Sequence, residues 1–297
     1  MKTFKVIFRE LLRSYLRNFP LRDGKIAIYN RCNRLLAPAS PLVEVKLKKL
    51  GFKLRLDLQE PSQRMIYFFG NYDERHELAM LQKLLGPGDV FWDVGANIGF
   101  YTLAASTLVG KEGQVVAFEP GPQAWRGLMA NIDLNQRSNI RPFKMAVAAA
   151  SGWVTLFSQP DIADGGASLI PRSDPACRAD LCPAINLDGF LQDSGLPRPT
   201  FLKVDVEGAE ALVLAGSRRL LTDPTPPLML LEMNDPHTVG KYLQDLGFVG
   251  AQLYRRKWYL CDHPVRARSR NMLWFHPEHK GHRQRLANLP VSSGRPV

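Results

Sequence analysis

The fold of this chain is decided by the stretch Phe91-Trp-Asp-Val-Gly-Ala-Asn-Ile-Gly-Phe-Tyr-Thr102, a hydrophobic strand that runs through a small-residue turn into a helix. Gly95 lets the backbone approach a ligand closely, and Asn97 is of a type that tolerates left-handed backbone angles. Gly99 allows the helix to pack tightly against the strand. Asp93, at the carboxyl end of the strand, is placed to meet a cation or a polar ligand group. A purely structural turn would have the same composition, so this stretch alone does not define a function.

A second block, Val115-Val-Ala-Phe-Glu-Pro120, is an apolar strand that ends in the carboxylate of Glu119. In dinucleotide and adenosine sites, an acid about 20 residues after the glycine turn accepts hydrogen bonds from ribose hydroxyls. The two blocks together predict an adenosine-containing cofactor, either NAD or S-adenosylmethionine. Asn97 stands where a pyrophosphate-binding loop would prefer its second glycine, so the turn favours S-adenosylmethionine.

A third block, Phe201-Leu-Lys-Val-Asp-Val-Glu-Gly-Ala-Glu210, is an apolar strand that ends in three carboxylates, preceded by a lysine. Buried charges are costly unless they are paired or used, and ligand sites in open α/β sheets lie at the carboxyl ends of strands. Asp205 and Glu207 are therefore candidate functional residues. Glu210 could equally cap or salt-bridge the helix that follows.

From Asp89 onward, strand and helix patterns alternate, which is typical of a mainly parallel sheet covered by helices on both faces. The predicted strands are 90–94, 115–118, 141–147, 201–204 and 228–233, and the predicted helices are 100–108, 124–134, 209–220 and 239–246. Residues 252–260 and 272–275 are expected to form a C-terminal antiparallel hairpin. Residues 158–185, rich in glycine and proline, interrupt the alternation and predict a long functional loop.

Ahead of this alternating region, residues 3–19 place apolar side chains at helical spacing beside a stripe of basic residues, which predicts a basic amphipathic helix. Such a helix could lie on an anionic membrane surface, or pack on its own domain with its charges in solvent. Residues 37–63 predict a β-hairpin, and residues 75–85 predict a short helix.

Composition and charge narrow the class of protein. The chain has 297 residues, of which 45% are hydrophobic, enough for a large buried core. Its net charge of +11 belongs to the ends, since residues 1–50 carry 12 Lys or Arg against 3 acids and residues 251–297 carry 10 against 2. No membrane-spanning helix is expected, because no apolar run approaches roughly 20 residues. No secretory signal is expected either, because Lys5 and Arg9 lie within what would be its apolar core and no small-residue cleavage site follows. The four scattered cysteines predict ordinary thiols in a reducing cytoplasm.

The three blocks, in this order and followed by L-L-E at 230–232, closely resemble the FkbM methyltransferases. The resemblance covers roughly residues 85–275. It implies a Rossmann-like α/β class I methyltransferase core, with S-adenosylmethionine across the carboxyl ends of the first strands of a mainly parallel seven-stranded sheet. The predicted organisation is a basic N-terminal extension over 1–85, a methyltransferase domain over 86–276, and a basic tail without regular structure over 277–297.

The resemblance also implies the cofactor-binding residues. They are Asp93, Gly95, Ala96, Asn97, Gly99, Tyr101, Thr102, Glu119, Pro120, Ala146, Val147 and Asp205. Within this set, the glycine turn would line the methionine and ribose, Glu119 would hold the ribose, and Ala146 and Val147 would lie near the adenine. Members of the family O-methylate sugars, glycans or natural-product hydroxyls, which predicts a class of acceptor.

Transfer of a methyl group from a sulfonium to a hydroxyl is a direct displacement, but a protonated alcohol is a poor nucleophile, so a base or a metal should assist. The candidate catalytic residues are Asp205, then Glu207 and Glu232, with His237 as a reserve base and Lys203 biasing their charge. A divalent ion held by the three carboxylates is an alternative. No ligand spacing decides it, and no metal is predicted.

Two other functions stay open. A nucleic-acid methyltransferase is favoured by the basic termini but opposed by the acidic middle of the chain and by the lack of an Asn-Pro-Pro-Tyr-type motif. A non-catalytic membrane-surface scaffold would use the helix at 3–19, although the intact glycines and acids argue against it. The expected partner is a small-molecule or glycan acceptor. The expected location is the cytoplasm, with peripheral contact to an anionic inner membrane face through residues 1–20 as a further hypothesis.

Overall fold

The computed structural model describes residues 2–18, 24–36, 42–70, 75–158, 167–171, 173, 176–254, 257–261, 270–287, 289 and 291–292. The chain divides into two compact units, Met1–Arg75 and His76–Val297. The division falls earlier than the boundary expected after residue 85, because the helix that begins at Arg75 belongs almost entirely to the second unit.

The described part of the first unit combines helices with a small antiparallel sheet. Its elements are α1 (Lys2–Asn18), α2 (Lys25–Leu36), β1 (Leu42–Leu47), β2 (Phe52–Asp57) and α3 (Pro61–Phe69). Strands β1 and β2 pair from Leu42 with Asp57 to Leu47 with Phe52, which confirms the predicted hairpin. Helix α1 confirms the amphipathic helix predicted at residues 3–19.

The second unit alternates strands and helices. Its elements are α4 (Arg75–Leu84), β3 (Val90–Val94), α5 (Phe100–Val109), β4 (Gln114–Phe118), α6 (Pro122–Asn135), β5 (Ile140–Phe143), β6 (Ala146–Val147), β7 (Gly152–Ser158), β8 (Arg178–Ile185), α7 (Leu187–Ser194), β9 (Phe201–Val204), α8 (Glu210–Ala215), α9 (Arg218–Leu221), β10 (Leu228–Glu232), α10 (Pro236–Asp245), β11 (Val249–Tyr254), β12 (Lys257–Leu260), β13 (Asn271–Phe275), α11 (Lys280–Leu286) and β14 (Val291–Ser292).

The main sheet has the strand order β14-β12-β11-β13-β10-β9-β3-β4-β5. Strands β5, β4, β3, β9 and β10 are parallel to one another, and β13 lies antiparallel between β10 and β11. The seven strands from β5 to β11 confirm the predicted Rossmann-like α/β core with a mainly parallel sheet. After β3 the chain builds the sheet first towards β5 and then, from β9, towards the other edge. A ligand crevice is expected at the carboxyl ends of the strands at this reversal.

A large hydrophobic core lies beneath this crevice and fixes the strand ends. The fully buried rings of Trp92 and Trp274 belong to one cluster of apolar side chains contributed by the main sheet and by α7 to α10. Burial of this kind is the main stabilising term of a domain. Within the described residues, no helix has the length and apolarity needed to cross a bilayer.

The C-terminal strands differ from the predicted hairpin. Residues 252–260 are expected to form one strand, but they contain the end of β11 and all of β12, which pair antiparallel with each other. Strand β13 does pair antiparallel with β11, yet it also inserts beside β10. Strand periodicity shows which residues are half-buried but not which neighbour they pair with, and pairing is settled by the edges that the sheet leaves open.

A second, three-stranded sheet has the order β6-β8-β7 and includes the C-terminal part of the region predicted to be a loop. The prediction of a loop over all of 158–185 is wrong for residues 178–185, which form β8 and pair with β7. Pro183 obscured this strand, because proline within an apolar run argues against a central strand. Residues 159–166 lie outside the described residues. The sequence also merged β5 and β6, which belong to different sheets.

The C-terminal segment differs from the tail without regular structure expected at 277–297. Residues 280–286 form α11, and Arg285 donates hydrogen bonds to both carboxylate oxygens of Asp89 and, at 2.7 Å, to the carbonyl of Leu84. His282 is buried, with Nε2 at 2.9 Å from the carbonyl of Pro226. Specific polar contacts anchor this helix, and such contacts leave no apolar periodicity in the sequence.

Candidate functional site

A cleft opens at the carboxyl ends of β3, β4 and β9, beside the reversal of the strand order. Its walls are formed by Val94, Gly95, Asn97, Phe118, Glu119, Pro120, Met145, Ala146, Val147, Leu156, Ala167, Ser168, Leu169, Asp205, Val206 and Glu207. The small sheet therefore closes one side of a cleft whose floor belongs to the main sheet.

The structure brings part of the predicted cofactor set to this cleft. The residues that line it are Gly95, Asn97, Glu119, Pro120, Ala146, Val147 and Asp205, whereas Asp93, Ala96, Gly99, Tyr101 and Thr102 are not among the lining residues. The sequence prediction missed the wall formed by Ala167 to Leu169 and by Leu156. A signal for the first of these was present, because Gly166-Ala-Ser-Leu169 also resembles the FkbM pattern.

The turn after β3 is built from left-handed backbone. The φ angles of Gly95, Asn97 and Gly99 are 81°, 49° and 88°, which confirms the left-handed conformation predicted for Asn97. A Cβ atom on Gly95 would lie 1.8 Å from the carbonyl oxygen of Asp205, so the end of β9 by itself requires glycine at this position. A Cβ atom on Gly99 would lie 2.7 Å from a methyl carbon of Leu128, so this glycine packs α5 against α6 rather than against β3.

Glu119 is oriented by backbone amides. The N–H of Asn97 donates to its Oε2 at 2.7 Å, and the N–H of Gly121 donates to its Oε1 at 2.8 Å. The side chain is buried and lines the cleft. A carboxylate held by two backbone donors has a fixed direction, which suits it to accept hydrogen bonds from a diol.

Asp93 lies beneath the cleft instead of facing it. Its carboxylate is fully buried and accepts a hydrogen bond of 2.6 Å from the hydroxyl of Thr102. Burial raises the pKa of Asp93, and the ammonium of Lys203, 3.7 Å from Oδ1, opposes this rise. The same ammonium lies 3.1 Å from Oδ2 of Asp205 and 5.0 Å from the ring centre of Tyr101. Lys203 thus links the carboxylates at the ends of β3 and β9.

The three predicted catalytic residues lie together. Asp205 and Glu207 follow β9 and Glu232 ends β10, and their carboxylate oxygens lie within 4.8 Å of one another. The turn between Asp205 and Gly208 brings this about, with left-handed φ angles of 53° at Glu207 and 100° at Gly208. Ser168 holds the turn by donating a hydrogen bond of 2.7 Å to the carbonyl of Glu207. His237, the reserve base, is exposed in α10 and is not a member of this group.

The pKa of Glu232 departs strongly from its ordinary value. Burial, reinforced by the negative charges of Asp205 and Glu207, raises its pKa to about 8, while a hydrogen bond of 2.9 Å from Asn234 opposes the rise. At neutral pH the group of three carboxylates therefore retains a proton, carried mainly by Glu232. Sequence reasoning missed Asn234, which follows two residues after Glu232 and also accepts a hydrogen bond of 2.6 Å from Arg270.

This arrangement supports two kinds of chemistry. Carboxylates next to a cleft can accept a proton from a bound hydroxyl, and a raised pKa brings such a group close to working pH. Three carboxylate oxygens at these separations could also hold a divalent cation, for which oxygen ligands are suited. The sequence prediction named no metal, and acidic groups of this kind are common without one.

Comparison with known proteins identifies relatives of this chain. The model of the family described as Methyltransferase FkbM domain matches residues 93–253, more than half of the chain. Hexuronic acid methyltransferase AglP of Haloferax volcanii is 28% identical over 175 residues, which cover 58% of this chain and 68% of that protein. The 31-O-demethyl-FK506 methyltransferase FkbM of Streptomyces tacrolimicus is 30% identical over 164 residues, which cover 44% of this chain and 60% of that protein.

Among solved structures, a methyltransferase FkbM from Methylobacillus flagellatus KT aligns with a TM-score of 0.45 and 17% identity, over 72% of this chain and 54% of that one. The match thus spans about half of that solved chain, and between 60% and 68% of the two relatives compared by sequence.

Proposed function

We propose that this chain, which belongs to the FkbM methyltransferase family, transfers a methyl group from S-adenosylmethionine to a hydroxyl oxygen of a sugar, glycan or natural product. The chain carries an S-adenosylmethionine-dependent methyltransferase domain, and S-adenosylmethionine is its cofactor. The observation that carries the choice of a hydroxyl acceptor is the group of three carboxylates beside the cleft. A hydroxyl must lose its proton when it is methylated, and these side chains are the acceptors at hand.

The walls of the cleft fit the cofactor. We assign Glu119 to the ribose hydroxyls, because both of its oxygens are oriented by backbone donors at the cleft wall. Ala146 and Val147 offer a small apolar wall suited to the flat face of an adenine. Gly95 and Asn97 bring the backbone close to the methionine part. Asp93 and Tyr101 lie beside the ammonium of Lys203, and Thr102 donates a hydrogen bond to Asp93, so we assign these three residues an indirect role rather than direct contact with the cofactor.

The bound cofactor supplies an electrophilic sulfonium methyl, so the transfer is a single displacement. The protein then has to align the acceptor oxygen, keep water out, and remove one proton. Asp205 is the first candidate for the base, because it lies both on the cleft wall and next to Glu207 and Glu232. A positioned base contributes about 10²–10⁴-fold to such a rate.

The charge of the site favours a neutral acceptor group. Carboxylates within a few ångströms of the acceptor repel a second negative charge, so a hydroxyl is favoured over a carboxylate at the methylated position. The names of the relatives support a sugar or a natural product as the molecule that carries this hydroxyl, since one is a hexuronic acid methyltransferase and another acts on 31-O-demethyl-FK506.

The proposal is tested first by calorimetric titration of S-adenosylmethionine into wild type, Glu119→Ala and, as the control, Glu112→Ala, which removes an exposed acid from the same unit. We expect the Glu119 variant to bind about 10- to 100-fold more weakly, as the loss of charge-assisted hydrogen bonds to the ribose would require. The control should match wild type. Folded protein that does not bind the cofactor would count against the assignment of the cleft.

The acceptor is then sought with methyl-labelled cofactor and a panel of neutral sugars, hexuronic acids and hydroxylated natural products, with RNA included. Label on a hydroxyl, lost in Asp205→Asn while cofactor binding is retained, would support the proposal. Label that appears on RNA alone would replace it with the nucleic-acid alternative.

A further inference from the structure

Helix α1 turns an apolar face to solvent. Ile7 and Leu11, one helical turn apart, are 55% and 62% exposed, and Val6 and Phe8 beside them are about half exposed. The opposite face is the one packed into the first unit, where Leu16 is buried at 2% exposure. We call the exposed side chains of Val6, Ile7, Phe8 and Leu11 the outer face of α1.

Three basic side chains of the same helix, those of Arg9, Arg13 and Arg17, lie on the packed side. The guanidinium of Arg13 stacks on the ring of Tyr67 with 4.4 Å to the ring centre, and Arg17 donates a hydrogen bond of 2.7 Å to the carbonyl of Tyr67. Burial lowers the pKa of Arg17 to about 10. Glu10 is paired with Arg9 and Arg13, both at 3.3 Å.

This orientation departs from the alternative in which α1 packs on its own domain with its charges in solvent, because apolar side chains lie on both sides of the helix. A surface helix in water normally buries its apolar stripe and exposes its charges. Here Ile7 and Leu11 face outward, while Leu12, Leu16 and the arginines pack inward. Helix α2 adds exposed apolar side chains to the same unit, with Ile26 and Ile28 well above the exposure of core residues. Clustered exposed apolar side chains of this kind mark an interaction surface.

Charge decides what covers this surface. Residues 2–36 contain nine Lys or Arg and two acids, so the region that bears the outer face is strongly positive. A second copy of the chain would meet it with the same charge in a two-fold contact, which is unfavourable. An anionic bilayer offers an apolar layer for the outer face and negative headgroups that attract the net positive charge of residues 2–36.

We propose that the outer face of α1 docks on an anionic lipid bilayer, with Ile7 and Leu11 inserted at the boundary between headgroups and acyl chains. This binding is separate from the cleft of the second unit and does not require methyl transfer. It would hold the enzyme at a membrane surface, where a lipid-linked acceptor is presented to it at high local concentration.

Flotation of the full-length protein with vesicles tests the proposal. Vesicles of phosphatidylcholine alone are compared with vesicles in which roughly one-quarter of the lipid is phosphatidylglycerol. Wild type should float with the anionic vesicles and not with the neutral ones, and added salt should weaken the binding. Ile7→Ser with Leu11→Ser should lower the partition coefficient about tenfold or more, because two large apolar side chains no longer insert.

A matched control is the pair Trp153→Ser and Leu181→Ser, which removes the two apolar side chains that are 72% exposed on β7 and β8 and changes no charge. This variant should float like wild type. Both double variants should keep the thermal unfolding midpoint and the cofactor affinity of wild type, which separates lost docking from lost folding.

Equal flotation of the α1 variant and wild type would overturn the proposal, as would wild type that stays in the bottom fraction with anionic vesicles. Light scattering is run in parallel. A wild-type dimer that becomes a monomer in the α1 variant would show that a second copy covers the outer face, and would overturn the assignment to lipid.

Discussion

Two regions of the crevice hold their carboxylates in different ways. In the turns after β3 and β4, which we call the cofactor half, Glu119 is fixed by the backbone N–H groups of Asn97 and Gly121. In the turns after β9 and β10, which we call the acceptor half, Asp205, Glu207 and Glu232 lie within 4.8 Å of one another. Backbone donors keep their charge distribution at every pH, whereas neighbouring carboxylates compete for protons. The backbone groups that orient Glu119 in the cofactor half therefore do not change with pH, whereas the charge of the acceptor half does.

Lys203 couples the two halves. Its ammonium lies between the buried carboxylate of Asp93, below the cofactor half, and that of Asp205 in the acceptor half. Both halves consequently depend on one buried cation, and removal of this cation should destabilise the protein more than loss of any one carboxylate of the acceptor half.

Lys203→Met leaves Asp93 fully buried without its cation, and we expect a loss of about 3–5 kcal/mol in the free energy of unfolding. Urea titration measures it. Lys111→Met, at an exposed position, is the matched control and should stay within about 0.5 kcal/mol of wild type. In the Lys203→Met background, Asp93→Asn should restore part of the loss, because the unpaired charge is gone. A Lys203 variant as stable as wild type would mean that the halves are not coupled through this residue.

Gly95→Ala tests the close contact between the turns of the two halves without changing any charge. The added Cβ would meet the carbonyl of Asp205 and the residue would keep a φ angle of 81°, so we expect a loss on the order of 3 kcal/mol. Gly88→Ala is the matched control, since its φ angle of 85° is similar but nothing lies within 4 Å of the added atom. It should lose only about 1–2 kcal/mol from backbone strain. Equal losses in urea titration would show that the close approach of the two turns does not matter.

Glu232→Gln tests whether the acceptor half titrates. The pKa of Glu232 is about 8 in the folded protein, above its ordinary value of 4.5, so the folded state binds this proton more tightly than the unfolded state. The stability that this proton contributes is fully present below pH 4.5 and is lost as the pH rises to about 8. The variant should therefore melt higher than wild type at pH 9, on the order of 3 °C, and the difference should shrink towards pH 5.

A difference in melting temperature between the Glu232 variant and wild type that stays the same between pH 5 and pH 9 would contradict a raised pKa of Glu232. The methyl-transfer rate provides a second readout. In wild type it should rise as the pH passes about 8, where the group loses its last proton, and the rise should be absent in the variant.

His282 lies in α11, outside both halves, and should give the smallest effect, of opposite sign. Burial lowers its pKa from 6.5 to about 4, and its ring accepts a hydrogen bond of 2.9 Å from the N–H of His276. Because the unfolded state binds this proton more readily, stability should fall as the pH drops from 6.5 to about 4. His282→Gln should reduce the fall in melting temperature between pH 6.5 and about 4 and leave the melting temperature above neutral pH unchanged. If the variant changes the melting temperature above neutral pH, the pH dependence there does not come from the acceptor half alone.

Sequence patterns predicted the strand, turn and helix of the cofactor half, because these parts are local. A strand, a turn of small residues and a helix follow one another within 91–102, and the left-handed angle of Asn97 belongs to that turn itself. The acceptor half was predicted as a set of residues, since carboxylates at the ends of parallel strands must meet at one edge. The raised pKa of Glu232 was beyond the sequence, because it depends on burial and on distances between separate strands.

By itself, the sequence determined the order of strands and helices in the core, the family, and the position of Asp205, Glu207 and Glu232 at strand ends, because these follow from local periodicity and motif. The tertiary structure decided that Lys203 joins Asp93 to Asp205, that Pro183 lies within a strand and that α11 is anchored by Arg285. It also decided that α1 turns Ile7 and Leu11 outward. Each of these depends on the partner that a side chain or strand meets. Such contacts join elements far apart in the chain, and no local pattern records them.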